Sequence, residues 1–264
     1  IVEAAKSLVS RCDPRIGLIR SWDFGEWNYP VIIDNMMNLE LLFWATQATG
    51  DSTFYKVAVT HADTTMKNHF RPDYSSYHVV DYDTISGKRI AQQTHQGYAD
   101  SSAWARGQAW GLYGYTVCYR ETKDPKYLAQ ADQIAAYILS RSNQTEDLIP
   151  YWDYDAPNIP NEPRDVSAAT VAASALYELS TYSADSLKYR AVADSIINNL
   201  SKSYLVAPGT MYGFLLRSST GHKPNGSEID VPIVYADYYF LEALLRKQRL
   251  ENGQPVVGGV LTRE

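Results

Sequence analysis

Acidic residues placed before helical segments are the groups in this sequence most able to do chemistry. Asp34, Asp100 and Asp165 each stand before a run typical of a helix, with polar or aromatic residues close by. Two carboxyl groups in one apolar cleft can hold different protonation states, so that one donates a proton while the other stays ionised. Asp is also a preferred helix N-cap, so capping alone is the structural alternative for each of the three acids.

The segment that follows Asp100 carries a second set of chemically useful side chains. Its sequence, SSAWARGQAWGLYGY, places Arg106 and Gln108 within two turns of Asp100, together with the indoles of Trp104 and Trp110. Aromatic rings suit stacking on sugars, and Arg and Gln donate hydrogen bonds to sugar oxygens. The combination is typical of the floor of a sugar-binding site.

This segment is predicted to form a helix from Ala103 to Glu121 that is buried on all sides. Apolar and small residues occupy nearly every face, which is the pattern of a helix inside a core. We expect Asp100 with the two serines after it to cap the N-terminus. Further helices are predicted at about 1–11, 34–49, 52–70, 126–141, 165–182, 185–203 and 235–249, and strand-like pieces at 77–82 and 88–93.

Three helix pairs repeat along the chain, joined by short turns of similar sequence. The turns are ATGDSTFY, ETKDPKY and YSADSLKY, and in each an Asp precedes the second helix. The first helix of each pair is apolar nearly all round and the second is amphipathic, which predicts one inner and one outer helix. Stacked in a ring, such pairs form an α/α toroid whose inner helices are parallel. The three acids and the long loops 71–100 and 142–164 then meet at one end, where helix N-termini favour an anionic ligand such as a uronate.

Composition restricts the class of protein. A hydrophobic content of 45% and a net charge of -6 fit a soluble globular domain spanning residues 1–264, with an aperiodic tail at about 253–264 that we expect to be disordered. An acidic chain without a basic cluster argues against nucleic acid as a partner, and the absence of a run of about eighteen apolar residues predicts no membrane span. Because His61 and His69 have no metal-site spacing and no P-loop, GxSxG or CxxC motif occurs, we expect no metal and no cofactor.

The first residues, IVEAAKSLVSRC, are typical of the end of a helix, without an initiator Met or a signal-peptide pattern. We therefore expect that N-terminal sequence is missing, which leaves the compartment open between cytoplasm and periplasm. Cys12 and Cys118 are too few for a disulfide framework and do not decide the compartment. The sequence indicates no particular oligomeric state.

Six stretches that together cover nearly the whole chain carry a family resemblance. They are IIDNMMNLELLFWA, HADTTMKNHFR, THQGYADSSAWARGQAWGLYGY, PYWDYDAP, RDVSAA and YADYYFLEALLR. Together they resemble the unsaturated glucuronyl hydrolases, glycoside hydrolase family 88. The related unsaturated rhamnogalacturonyl hydrolases of family 105 tend to carry a DxLYM-like stretch in place of DNMMN, and ARGNGW in place of ARGQAW. The resemblance implies an all-α (α/α)6 barrel, from which this chain, with about eight predicted helices, would lack one or two N-terminal hairpins.

By this resemblance, Asp34 and Asp100 are the two catalytic acids. The family acts on oligosaccharides made by polysaccharide lyases, which carry a 4,5-unsaturated uronic acid at the non-reducing end. Asp100 would protonate C4 and activate water for attack at C5; the hemiketal would then collapse and the glycosidic bond would break. Asp34 is assigned the ionised, stabilising role.

Further residues are predicted to bind the oligosaccharide. Trp104, Trp152 and Tyr235 would stack on sugar rings, although Trp104 and Tyr235 are also explained as core. In the loop before the last helix, Lys223 and Ser227 would contact a sulfate on the second sugar. His95, in the loop before Asp100, is placed to reach the same cleft. The predicted polar contacts are those of Arg106, Gln108, Asp153, Arg164 and Asp165.

Two alternatives remain open at this stage. A family 105 enzyme would apply the same chemistry to a pectin-derived substrate, and the ARGQAW stretch argues against it. The second alternative is a non-catalytic glycan-binding α/α barrel. The presence of both Asp34 and Asp100 argues against it. The sequence does not fix which glycan, linkage or sulfation the substrate has.

Overall fold

The computed structural model describes residues 1–141 and 145–258. Most of these residues lie in helices, and short 3-10 helices span Ile33–Asn38, Met211–Gly213 and Lys223–Asn225. The α-helices in the described ranges are α1 (Val2–Val9), α2 (Leu39–Thr49), α3 (Ser52–Asn68), α4 (Ala105–Thr122), α5 (Pro125–Ser140), α6 (Val166–Leu179), α7 (Ser186–Ser203) and α8 (Val234–Glu251).

Helices α2, α4, α6 and α8 pack side by side in chain order, and α3, α5 and α7 pack against them as outer helices. Every residue of α4 from Ala105 to Cys118 is buried, and so is every residue of α6. The outer helices each bury a single stripe, as amphipathic helices on a surface do. Because each outer helix returns the chain to its starting end, the inner helices run parallel.

Small residues let the inner elements approach closely. A Cβ atom built on Gly114 of α4 would lie 2.5 Å from the Cβ atom of Met36, in the 3-10 helix ahead of α2. That distance is far below an ordinary van der Waals contact. Glycine at position 114 therefore lets α4 lie against the 3-10 helix that carries Asp34.

The short turns at the other end follow the predicted pattern in part. Gly50 ends α2 with a φ of 75°, which glycine adopts without strain. Asp51 and Asp124 cap the outer helices by accepting the backbone N–H groups of Thr53 and Lys126. Asp185 occupies the equivalent position before α7, but its side chain makes no capping hydrogen bond.

Buried ion pairs join the inner helices near the same end. Arg120 of α4 lies 3.0 Å from Glu178 of α6, and Arg246 of α8 lies 3.0 Å from the same carboxyl. Arg120 also pairs with Glu40 of α2. A charged network that is fully paired can be buried without leaving an isolated charge. It links four inner helices through their side chains.

Two small antiparallel sheets precede α4. Strands β3 (Pro30–Ile32), β4 (Val79–Tyr82) and β5 (Arg89–Gln93) form one, and β1 (Cys12–Asp13) pairs with β2 (Leu18–Ile19) in the other. The β3–β4 ladder pairs Ile32 with Val79, and Ile33 N donates to His78 O at 3.0 Å. Strand pairing thereby brings position 34 next to position 78, although they are far apart in sequence.

Two predicted helix starts are wrong. Helix α4 begins at Ala105 with Trp104 in the N-cap position, and no side chain caps it. Asp100 is not a cap, because its Oδ1 accepts the N–H of Thr94 at 2.7 Å. The run from Asp34 starts as a 3-10 helix, and α2 begins only at Leu39. In both places tertiary contacts, such as the bridge between Trp104 and Asp153, override the local capping pattern.

No helix in the described ranges is long and apolar enough to cross a membrane. Near the end of those ranges, Val256 is buried against the core. The rest of the predicted tail, residues 259–264, lies outside the described residues, as do residues 142–144 of the predicted long loop.

Candidate active site

Asp34 lies in the 3-10 helix that packs against α4. Its Oδ2 atom is buried and has no hydrogen-bond partner among the described residues, while the side chain as a whole is 27% exposed. Burial raises the pKa of Asp34 to about 6, and the charge of Arg106 and the indole of Trp110 oppose part of that rise. A carboxylic acid with a pKa near the working pH can give a proton to a substrate and take one back.

His78 immediately precedes β4 and faces Asp34. Its Nε2 atom lies 3.7 Å from Oδ2 of Asp34. Its Nδ1 atom accepts the backbone N–H groups of His95 and Gln96, at 3.1 and 3.0 Å. Burial holds the pKa of His78 well below its ordinary value. The imidazole is therefore neutral, and because Nδ1 is an acceptor its proton resides on Nε2.

Aromatic side chains surround these two groups. The Trp104 ring lies 4.4 Å from the His78 ring, and the Trp110 ring lies 6.0 Å from that of Tyr235. Asp34 Oδ2 and His78 Nε2 are buried without a hydrogen-bond partner in the described part of the chain, and the buried indole N–H of Trp110 favours the ionised form of Asp34. Buried polar atoms without partners are uncommon, and the polar groups of a ligand are one way of satisfying them.

Tyr235 completes this wall from the start of α8. Its ring is half-buried, and the guanidinium of Arg106 lies 5.4 Å from the ring centroid. Burial raises the pKa of Tyr235 to about 12, so its hydroxyl keeps its proton throughout the physiological range. An aromatic ring with a hydroxyl at its edge suits contact with a sugar.

Arg106 and Asp165 form a buried ion pair behind the wall. Arg106 Nη1 donates to Asp165 Oδ2 and to Thr220 O, both at 2.6 Å, and Nη2 donates to Gly221 O at 2.7 Å. Asp165 also caps α6 by accepting the N–H of Ser167 at 3.1 Å. The pair fixes the segment 220–221 to the N-terminal ends of α4 and α6. These contacts support the site, and the predicted contact of both residues with substrate stays a prediction.

Gln108 and Asp153 are also used within the protein. Gln108 Oε1 accepts the N–H of Ser76 at 2.8 Å, and its amide group donates to a carbonyl of the same loop. Asp153 Oδ2 accepts the N–H of Tyr98 at 2.9 Å and the hydroxyl of Ser102 at 2.7 Å. Both side chains are buried and anchor the long loop ahead of α4.

Asp100 lies in a different environment from Asp34. It is exposed, and its Oδ1 accepts the N–H of Thr94 at 2.7 Å. Among the described residues, no hydrogen bond or ion pair joins its carboxyl to that of Asp34. Through Thr94, the carboxyl of Asp100 helps to position the segment 94–96, whose backbone donates to His78.

Two more of the residues predicted to bind substrate, Trp152 and Lys223, lie around the carboxyl of Glu162, and a third, Arg164, lies beside Asp147. Trp152 is buried and donates its Nε1–H to Glu162 at 2.9 Å. Lys223 forms an ion pair with the same carboxyl at 2.8 Å and lies 5.1 Å over the Trp152 ring. Arg164 is held by Asp147 at 3.1 Å. The carboxylate of Glu162 thus balances the charge of Lys223. A sulfate bound at Lys223, as predicted, would have to compete with Glu162.

The site extends outward through His95, which the sequence had placed near this cleft, and through His222, Trp22 and Trp27, which were not expected there. His95 Nε2 lies 3.2 Å from Nε2 of His222, and the His95 ring contacts the rings of Trp22 and Trp27 at 5.8 and 5.6 Å. A surface cavity of about 360 Å³ lies beside this pair and is lined by His95, His222, Pro224 and Asn225. The one sequence signal available was the occurrence of His78 and His95 in the long loop ahead of α4.

The chain can be compared with proteins of known sequence. No protein-family model matches it. It is 52% identical over 253 residues to an unsaturated glucuronyl hydrolase of Formosa agariphila, and the match covers 95% of this chain and 63% of that protein. It is 35% identical over 262 residues to an unsaturated glucuronyl hydrolase of Bacillus sp. strain GL1, covering 96% of this chain and 68% of the relative. The chain thus spans less than two thirds of the first relative and slightly more of the second.

A solved structure has the same fold over nearly the whole chain. The crystal structure of an unsaturated glucuronyl hydrolase specific for heparin matches with a TM-score of 0.93 and 50% identity, covering 97% of this chain and 69% of the other. The predicted α/α-barrel architecture is confirmed by this match. The family resemblance inferred from the six sequence stretches is confirmed as well.

Proposed function

Because this chain belongs to the unsaturated glucuronyl hydrolase family, we propose that it hydrolyses oligosaccharides that end in a 4,5-unsaturated uronic acid. Water adds across the C4=C5 double bond, and the uronic acid leaves from the non-reducing end. The names of the relatives favour this activity over the rhamnogalacturonyl alternative. The buried acid Asp34 favours it over a non-catalytic glycan binder.

The observation that carries the proposal is the state of Asp34. Its Oδ2 atom is buried and unpaired, its pKa is raised to about 6 by burial, and it faces a neutral imidazole beside aromatic rings. A vinyl ether needs one acid that is protonated near neutral pH and becomes a base after the transfer. This reaction does not require the fixed spacing between two carboxyl groups by which ordinary glycosidases act.

The steps follow from that state. Protonated Asp34 transfers its proton to C4, and positive charge develops at C5 next to the ring oxygen. The Asp34 carboxylate then accepts a proton from the water whose oxygen bonds to C5, which restores the acid. The hemiketal at C5 opens to a ketone and leaves a hemiacetal at C1, whose collapse releases the rest of the oligosaccharide as an alcohol. One water is consumed and no cofactor is needed.

We assign the proton transfer to Asp34 and not to Asp100, which reverses the roles predicted from the sequence. Asp100 is exposed, and its Oδ1 accepts the backbone N–H of Thr94. Asp34 is surrounded by buried groups that penalise its charge. In this assignment Asp100 acts by holding the segment 94–96.

The substrate class we propose is the heparin type. The solved structure with 50% identity is described as specific for heparin, and the identity extends over 97% of this chain. Heparin-type disaccharides carry a uronate and commonly sulfate groups as well. The helix N-termini near the site favour such anionic ligands.

The experiment is an absorbance assay on a panel of lyase-made disaccharides from heparin, chondroitin and hyaluronan. The C4=C5 bond conjugated to the carboxylate absorbs in the ultraviolet, and hydration removes the absorbance. We expect loss of absorbance with at least one disaccharide, and a higher kcat/KM for heparin-type ones. An unchanged absorbance on every unsaturated disaccharide would contradict the activity, and a preference for chondroitin would contradict the substrate class alone.

A further inference from the structure

His78 is the buried group beside Asp34 whose chemical state the structure defines most fully. It is 4% exposed and lies between the Trp104 ring and the Asp34 carboxyl. The β3–β4 ladder fixes its backbone, since Ile33 N donates to His78 O at 3.0 Å. Its ring is therefore held by the sheet on one side and by the start of α4 on the other.

Two backbone donors fix the tautomer of this ring. The N–H groups of His95 and Gln96 converge on Nδ1 at 3.1 and 3.0 Å. A protonated Nδ1 would turn both contacts into donor–donor clashes. The single proton of the neutral ring must lie on Nε2, which points at Oδ2 of Asp34.

The charged groups around His78 also oppose a second proton. Apart from Asp34, each of them is either cationic or becomes cationic when protonated. The groups in question are Asp34, His69, His95, Arg106 and His222.

Asp34 thus has two neutral N–H groups beside it, those of His78 and Trp110, and the positive charge that lowers its pKa is that of Arg106. An imidazolium at 3.7 Å would stabilise the carboxylate and drive the proton off Asp34. A neutral Nε2–H donor stabilises the carboxylate only modestly, so the acid form persists to near-neutral pH. The segment 94–96 prevents formation of the imidazolium, because the backbone N–H groups of residues 95 and 96 already donate to Nδ1.

We propose that His78 is a positioning residue, held neutral and in the Nε2–H tautomer by the backbone of residues 95 and 96, so that it presents a donor to Asp34 without the positive charge that would drive off the proton of Asp34. The proposal rests on the proposed function, in which Asp34 is the proton donor. The role proposed for the backbone N–H groups of residues 95 and 96 cannot be predicted from the side chains in the sequence.

The first test uses the unaltered protein and does not depend on turnover. The ¹⁵N shifts of the His78 ring report directly which nitrogen carries the proton and at which pH a second proton adds. We expect the Nε2–H tautomer, with no second proton down to pH 5. An imidazolium near pH 6, or a ring protonated on Nδ1, would overturn the proposal.

The second test measures the titration of Asp34 itself in paired variants. In His78→Asn the side-chain oxygen replaces Nδ1 as an acceptor, but the donor toward Asp34 is lost. In His78→Gln the amide reaches the Nε2 position, but the acceptor for residues 95 and 96 is lost. The ¹³C shift of the Asp34 carboxyl gives its pKa in each variant, whether or not the variant turns over substrate.

Loss of the donor in His78→Asn should raise the Asp34 pKa on the order of 0.5 to 1 unit, since a donor stabilises the ionised form. His78→Gln should stay closer to the unaltered protein in this pKa. His69→Asn, which removes another buried imidazole outside contact with Asp34, is the matched control and should leave the pKa of Asp34 unchanged.

An equal Asp34 titration in the His78→Asn variant and the unaltered protein would overturn the proposal. If the shift occurs while no disaccharide is turned over, the proposed function fails and the link between His78 and Asp34 stands.

Discussion

At the scale of single residues, two aspartates that look alike in sequence have different tasks. Both stand ahead of a helical run, and either could be a cap. In the folded protein neither caps α4 or α2, and only Asp34 has a buried, unpaired oxygen. Burial decides which one stores a proton, and burial depends on contacts that the local sequence does not contain.

Asp100→Asn should reduce kcat/KM by less than about tenfold, because the amide oxygen can still accept the N–H of Thr94. Asp100→Ala removes that acceptor and should cost more, by loosening the segment 94–96. The measurement is kcat/KM on the best unsaturated disaccharide. A loss of about 1,000-fold in Asp100→Asn would contradict this account and show that Asp100 transfers the proton, as predicted from the sequence.

The sequence predicted several residues of the site but not their tasks. Asp34, Trp104 and Tyr235 were singled out, and the structure brings them into one region together with Trp110. His78 was missed because its placement depends on β-pairing between two segments more than forty residues apart. Helix and turn patterns report local preferences and carry no information on such pairing.

At the scale of elements, the site depends on a buried ion pair that joins α4, α6 and the segment 220–221. Arg106 donates to one oxygen of Asp165 and to the backbone carbonyls of Thr220 and Gly221. Both side chains are almost wholly buried. Removal of one partner from a buried pair leaves an uncompensated charge, which is more costly than loss of the pair itself.

Arg106→Leu should lower the free energy of unfolding by about 3–5 kcal/mol, since Asp165 then stays buried without its partner. Chemical denaturation followed by circular dichroism measures the change. In Arg106→Leu/Asp165→Asn the orphaned charge is gone, so part of the stability should return. Lys6→Ala breaks an exposed pair with Glu3 and serves as the control, with stability unchanged within error. An equally stable Arg106→Leu variant would contradict this account of the pair.

Helix periodicity predicted the elements better than their ends. The inner and outer helices and the strands β4 and β5 lie close to the expected ranges. The 3-10 helix at Ile33–Asn38 and the strand β3 were not expected. Asp34 lies within this 3-10 helix and shortly after β3. Departures from regular helix occur where the chain has to position the site, which is where local preference is overridden.

At the scale of the whole molecule, buried histidines make stability depend on pH. Burial lowers the pKa of both His61 and His69 to about 3, and that of His78 lies well below its ordinary value. His61 and His69 are both fully buried; the backbone N–H of Ile19 donates to Nδ1 of His61 at 3.0 Å, and neither ring nitrogen of His69 has a hydrogen-bond partner among the described residues. Unfolding exposes all three imidazoles to protonation.

The sign of the effect follows from which state binds more protons. Below the unfolded pKa of about 6.5 the unfolded chain takes up histidine protons that the folded chain excludes, so stability is lost as pH falls. Asp34 acts in the opposite direction between pH 4 and 6, because its folded pKa is raised to about 6. Three imidazoles outweigh one carboxyl, so a net loss of stability is expected toward acid pH.

Denaturant unfolding at pH 7, 6, 5 and 4 measures this dependence. Each histidine proton contributes a slope of about 1.4 kcal/mol per pH unit. His69→Leu removes one titrating imidazole and should flatten the slope by that amount, whatever its effect on stability at pH 7. Unfolding free energies that rise toward acid pH, or an unchanged slope in His69→Leu, would show that these histidines are not excluded from protonation.

The central claim is that Asp34 gives the proton to C4, and single-turnover hydration of an unsaturated disaccharide by Asp34→Asn tests it most directly. The amide is close in size to the carboxyl but cannot donate a carboxylic proton, so binding should remain while the rate falls at least about 1,000-fold. In the unaltered protein, the same rate should decline as pH rises through about 6, where Asp34 ionises. An Asp34→Asn variant that hydrates the double bond within tenfold of the unaltered rate would contradict the claim.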